Sequence, residues 1–156
     1  MKLLVLAIGE DPPPWATEAV RTYTARVGDG YRLDLRLLPA ARRSGSMDAA
    51  RCRVREADLL RAATPAGVRR IALDERGSPW STADLTRRLA DWSSSGIRPC
   101  FWIGGADGLD AELLREADER WSLSAMTLPH ALAQVLVVEQ LYRAWSILRG
   151  HPYHRP

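Results

Sequence analysis

Lysine is nearly missing from this chain. Lys2 is the only one, and arginine supplies the rest of the 22 basic residues. Arginine's planar fork suits phosphate better than an ammonium does, although a genome-wide codon bias produces the same skew. Cysteine is scarce as well. Cys52 and Cys100 fall in an expected helix and an expected strand with no ligand spacing around them. That argues against a disulfide framework or a zinc site and for buried thiols in a reducing compartment. No long apolar run is present. Residues 3–8 are too short for a signal peptide and lead into Glu10, Asp11 and three prolines, so no membrane span or export is expected and the location should be cytosolic. Strong charge imbalance is also absent: a formal +3 permits an RNA or phosphate partner without demanding one. What remains is 156 residues, 46% hydrophobic and 26% charged, about one domain with a real core.

Along the chain, strand and helix patterns alternate. Residues 2–8 form a continuous apolar run, as in a strand buried on both faces. Trp15, Ala19, Tyr23 and Val27 recur at helical spacing. Residues 31–37 alternate strictly, which predicts a strand near a sheet edge. Asp48 can cap a helix through Ala63, and residues 68–74 read as a third strand closed by a turn at 75–79. Ser81 with Asp84 makes a capping box for a helix that aligns Leu85, Leu89 and Trp92 and stops at Gly96. Residues 100–103 are a fourth strand, Asp110 caps a further helix, and 120–124 are a short fifth strand. A long helix over 129–149 closes the pattern, capped by Thr127 and stopped by Gly150 and Pro152. Of its 21 residues 13 are apolar, more than one stripe needs, so a second subunit is expected on one side. The alternation predicts a single α/β domain over 1–156, with a mainly parallel sheet covered by helices on both faces.

Ligands of such sheets sit beyond the carboxyl ends of the strands. Three segments leave strands there: Leu73-Asp74-Glu75, the loop Gly104-Gly105-Ala106-Asp107-Gly108, and residues 123–128. The glycine spacing matches neither the dinucleotide fingerprint nor the P-loop, and a glycine pair after a strand is more often a simple turn. The arginines at 42, 43, 51, 53 and 55 read first as a solvated face, with an RNA-facing patch as the lesser alternative. His130, in a helical first turn, reads as solvent-facing or capping, and Glu139 as the ion-pair partner of Arg143. The tail places His151, Tyr153, His154 and Arg155 together, but H-x-x-H without a carboxylate or thiol is a poor metal motif, and no metal is expected.

Four stretches carry a resemblance: FWIGGADGL at 101–109, WSLSAMTLPH at 121–130, EQLYRAWSI at 139–147 and GHPYHR at 150–155. With the MKL start, the P-A-x-x-R loop at 39–43 and L-D-x-x-G at 73–77, the whole chain resembles small methyltransferases of the SPOUT superfamily. These act on N3 of a pseudouridine in the 23S RNA of the large ribosomal subunit. The resemblance implies S-adenosyl-L-methionine as donor, a homodimer, and a carboxyl-terminal trefoil knot. Carried onto this chain, the donor-binding positions are Leu73, Gly104, Leu123, Ser124, Ala125, Met126, Thr127 and Leu128. The acceptor is an imide nitrogen that becomes a nucleophile on losing its proton, and a histidine titrates in the right range. His154 is therefore the expected base or relay, with Tyr153 and Arg155 positioning the nucleotide and the site shared between two chains. A charge of only +3 predicts weak affinity for naked RNA and recognition within the assembled large subunit. The rival readings are a flavodoxin-like nucleotide binder and a non-catalytic ribosome-binding protein.

Overall fold

The computed structural model describes residues 1–42 and 48–154. Arg43 of the arginine group and Arg155 of the expected site lie outside the described residues. The elements run β1 (Lys2–Ile8), α1 (Pro14–Arg26), β2 (Arg32–Leu38), α2 (Ala49–Ala63), β3 (Arg69–Pro79), α3 (Thr82–Ser94), β4 (Pro99–Ile103), α4 (Ala111–Glu116), β5 (Glu119–Ser122) and α5 (His130–Leu148). All strands pair in parallel, in the order β2-β1-β4-β3-β5.

The apolar run of β1 explains its inner place. Leu3, Val5 and Ala7 join one core with Phe101, Ile103, Leu85, Leu89, Trp92 and the buried side of α5. Leu4, Leu6 and Ile8 join a second core with Leu60, Trp102, Leu113 and Leu114. Period-two alternation thus feeds both faces, with α1, α3 and α5 over one and α2 and α4 over the other. Each fully buried Leu or Ile contributes about 1.5–3 kcal/mol. The edge position expected for the alternating strand holds: β2 pairs only with β1. The caps hold too. Asp48 accepts from the Arg51 amide, Ser81 and Asp84 form a reciprocal box, and Asp110 accepts from the Glu112 and Leu113 amides. Both cysteines are free and buried, and burial pushes the Cys100 thiol up to about 12.

Some expectations change. Trp15 is 54% exposed and Ala16, at 1%, takes the buried place, so the inner stripe of α1 is rotated to Ala16, Val20 and Tyr23. Residues 75–79 do not end β3. The register shifts between Leu73 and Ser78, after which Ser78 and Pro79 pair with Trp121 and Ser122 of β5. Gly77 makes this possible, since a Cβ there would lie 2.7 Å from the Arg120 carbonyl carbon. β5 stops at Ser122, and α5 begins at His130 with Pro129 as its N-cap residue and no side-chain cap. The Thr127 hydroxyl goes instead to Glu75 Oε2, at 3.0 Å. Within one chain, α5 is covered by the sheet face, α1, α3 and the tail, so much of its excess apolar surface is used internally.

Candidate functional site

Beyond the carboxyl ends of β3, β4 and β5 the chain forms a cleft of about 880 Å³. Its walls are 73–76 from β3, 103–111 from β4 and the start of α4, and the run from Leu123 to the first turn of α5. Arg53 of α2 and Leu114 of α4 close the sides.

Each wall has a local cause. The glycine loop folds back on itself. Gly105 bridges Gly108, and a Cβ at Gly104 would lie 2.6 Å from the Gly108 carbonyl carbon. Gly108 has φ +75°, a backbone that side chains resist. The pair is therefore a tight turn and a cleft wall at once, which its spacing alone did not favour. The third wall is tied to the first. Ser122 Oγ lies 3.0 Å from the carbonyl oxygens of both Glu75 and Ser124, the Ser124 hydroxyl accepts from the Met126 amide at 2.9 Å, and Thr127 donates to Glu75. Met126 stands 74% exposed on this rim. Behind it, Trp121 stacks on Trp80 at 5.1 Å, and the Arg88 guanidinium covers the other ring.

Of the expected donor-binding positions, Leu73, Gly104, Leu123, Ser124, Met126, Thr127 and Leu128 line the cleft; Ala125 does not. Sequence reasoning gave no such place to Arg53, Trp121, His130 or Ala133, which line it too. His130 is exposed as expected, with its ring 3.7 Å from where a Cβ on Gly9 would sit. The usable signal was positional: Trp121 lies next to the end of a strand, and His130 and Ala133 share the face that opens α5.

Two buried polar atoms of the cleft residues have no hydrogen-bond partner among the described residues: Asp74 Oδ2 and Trp121 Nε1. A buried acceptor and donor left unmade are unfavourable. A nucleoside-sized ligand with apolar faces and polar edges fits this wall chemistry and the cleft volume. Among the described residues, no group of three or more His, Cys, Asp and Glu could hold a metal ion, and no helix is long and apolar enough to cross a membrane.

The tail lies elsewhere. Neither Tyr153 nor His154 is among the cleft residues of the same chain. After Gly150 (φ +64°) the His151 amide bonds to the Ser146 carbonyl at 2.8 Å, and the chain turns back along α5. Tyr153 packs on Tyr142 at 4.5 Å and donates its hydroxyl to Glu139 Oε1 at 3.0 Å. Arg143 pairs with the same carboxylate at 2.9 Å, the ion pair expected from the i,i+4 spacing, and lies over the Tyr153 ring. Burial first, then hydrogen bonding with Tyr23 and Glu139, pushes the Tyr153 phenol well above its ordinary value. His154 Nδ1 is buried with no partner among the described residues.

Comparison with known proteins gives a consistent set. A family described as "Predicted SPOUT methyltransferase" matches residues 1–154. A Burkholderia lata protein named "Ribosomal RNA large subunit methyltransferase H" is 46% identical over 155 residues, 99% of each chain. A Burkholderia multivorans protein of the same name is 45% identical over the same share. In fold, the chain is similar to a probable methylase family protein from Haemophilus influenzae (TM-score 0.58, 12% identity, 99% of this chain and 70% of that one). It is similar also to a probable methyltransferase from Bordetella pertussis (TM-score 0.55, 18% identity, 92% and 95%).

Proposed function

Since the chain belongs to the SPOUT methyltransferase family, we propose that it transfers a methyl group from S-adenosyl-L-methionine to N3 of a pseudouridine in 23S ribosomal RNA. The single observation that carries this reading is the meeting of the β3, β4 and β5 loops in one cleft whose walls leave Asp74 Oδ2 and Trp121 Nε1 without partners among the described residues. A ribosomal RNA substrate follows the printed name of the relatives, and the pseudouridine follows the family resemblance carried by the 121–130 and 150–155 stretches.

Bound in the cleft, S-adenosyl-L-methionine supplies a methyl group on a sulfonium. The work left to the chain is chiefly alignment and proton removal. Leu73, Ile103 and Leu128 offer apolar walls for a flat base, and the glycine loop lets the backbone come close. His154 removes or relays the acceptor proton. Tyr153 serves as a donor and not as a base, because its environment holds its own proton. Arg155 completes the expected nucleotide grip.

The tail and the cleft of one chain are apart. The proposed unit is accordingly a homodimer whose tail from one chain serves the cleft of the other, with the trefoil threading of the carboxyl segment part of the same reading. RNA recognition draws on arginines of both chains and on the assembled large subunit. Calorimetry with S-adenosylmethionine and a mass increment on 23S RNA in ribosomal subunits test the reaction. A mixed dimer of Gly104→Ala and His154→Ala chains tests sharing: recovered activity supports it, and strictly additive loss counts against it. Equal methylation of a short isolated stem-loop would remove the need for the assembled subunit.

A further inference from the structure

The chain is basic, yet its cleft is not. Among the described residues, the walls carry Asp74, Glu75, Asp107 and Asp110 against Arg53 and Arg76. Most of these carboxylates are already engaged. Glu75 accepts from Thr127, Asp110 caps α4, and Asp107 has an interaction of its own. Asp74 differs. Its Oδ1 accepts from the Arg76 amide at 3.2 Å, while Oδ2 is sealed from solvent with no partner among the described residues. The Asp74 side chain is only 10% exposed. The nearby Arg76, 84% exposed with Nε 4.0 Å from Oδ1, spends its charge largely in water. Alternation along β3 turns Leu73 toward the Trp121 face and Asp74 toward the face of Ala72 and Leu114. Shielded from water and half-satisfied, this carboxylate makes its charge felt inside the cleft.

We propose that the Asp74 carboxylate is the counter-charge to the sulfonium, and that it makes the cleft favour the charged methyl donor over the product, which carries one positive charge fewer. This rests on the donor reading above. Methyl transfer removes the positive charge at sulfur, so the attraction to Asp74 ends with the reaction and product leaves without a conformational signal. A partner for the donor's distant ammonium would not have this property, because donor and product share that group.

The test is calorimetry on the full-length protein with three ligands: S-adenosylmethionine, S-adenosylhomocysteine, and sinefungin, whose ammonium replaces the methylated sulfur. Asp74→Asn should weaken S-adenosylmethionine and sinefungin by about tenfold or more and S-adenosylhomocysteine by less than about twofold. Asp74→Ser is the second variant should the amide disturb folding, with the thermal midpoint recorded for both. Equal weakening of all three ligands, or no change in any, overturns the assignment. A wild-type protein that binds none of them overturns the donor reading itself, a result distinct from an unchanged preference in the variant.

Discussion

The two ends of α5 are settled in different ways. At the carboxyl end most groups meet another, with His154 Nδ1 the buried exception among the described residues. Tyr142 stacks on Trp145 and Tyr153, Trp145 Nε1 donates to the Gly28 carbonyl, and Arg149 reaches the Asp29 carbonyl and covers Tyr31. At the amino end no side chain caps the helix, His130 and Met126 stand exposed, and the cleft beside them holds a buried acceptor and a buried donor without partners among the described residues. The first end is held by its own chain. The second borders an open cleft, where an outside group can complete buried bonds that the described residues leave unmade.

The sharpest way to break this contrast is Gly104→Ala. A methyl group placed 2.6 Å from the Gly108 carbonyl carbon forces the loop open. Donor binding by calorimetry should vanish, and urea denaturation should show a loss of roughly 1–3 kcal/mol. Retained binding would mean that the loop is only a turn. Next in size is His154→Ala. Methylation of ribosomal subunits, followed by mass spectrometry, should fall by about two to four orders of magnitude with donor affinity unchanged. Equal activity would confine the tail to the structural role seen at its own end of α5. Tyr153→Phe sharpens the contrast further, since it keeps the stack and deletes only the hydroxyl given to Glu139. It should cost about 1 kcal/mol in denaturation and leave donor binding untouched.

The smallest effect is a pH dependence at the settled end. The Tyr153 phenol is raised above its ordinary 10.0, by burial first and then by hydrogen bonding with Tyr23 and Glu139. Below that pH both folded and unfolded states keep the proton. Above it the unfolded chain releases the proton while the folded chain holds it, so stability falls as pH rises. Thermal midpoints from pH 9 upward should decline less in Tyr153→Phe than in wild type, and identical slopes would remove the phenol from the balance.

Much of the fold was legible in the residues. The buried run of β1, the alternation of β2, the Asp48, Ser81 and Asp110 caps and the Glu139–Arg143 pair all act within a few residues of themselves. What escaped depends on neighbours distant in sequence. Gly77 read as a turn because composition does not reveal that the Arg120 backbone passes 2.7 Å from its Cβ position. Thr127 read as a cap because nothing local announces Glu75, 52 residues away, as its partner. Trp15 fell on the same helical spacing as Tyr23, yet it stands exposed, because one helical stripe looks like another until the sheet selects a face.

Taken alone, the sequence determined the alternating strands and helices, the Asp48, Ser81 and Asp110 caps and the family likeness, because period, capping and motif are properties of short stretches. Only the tertiary structure decided the strand order, the meeting of three loops in one cleft, and which polar atoms there lack partners among the described residues. Those outcomes depend on which distant backbones come close, and the chain settles that by burying both faces of its sheet at once.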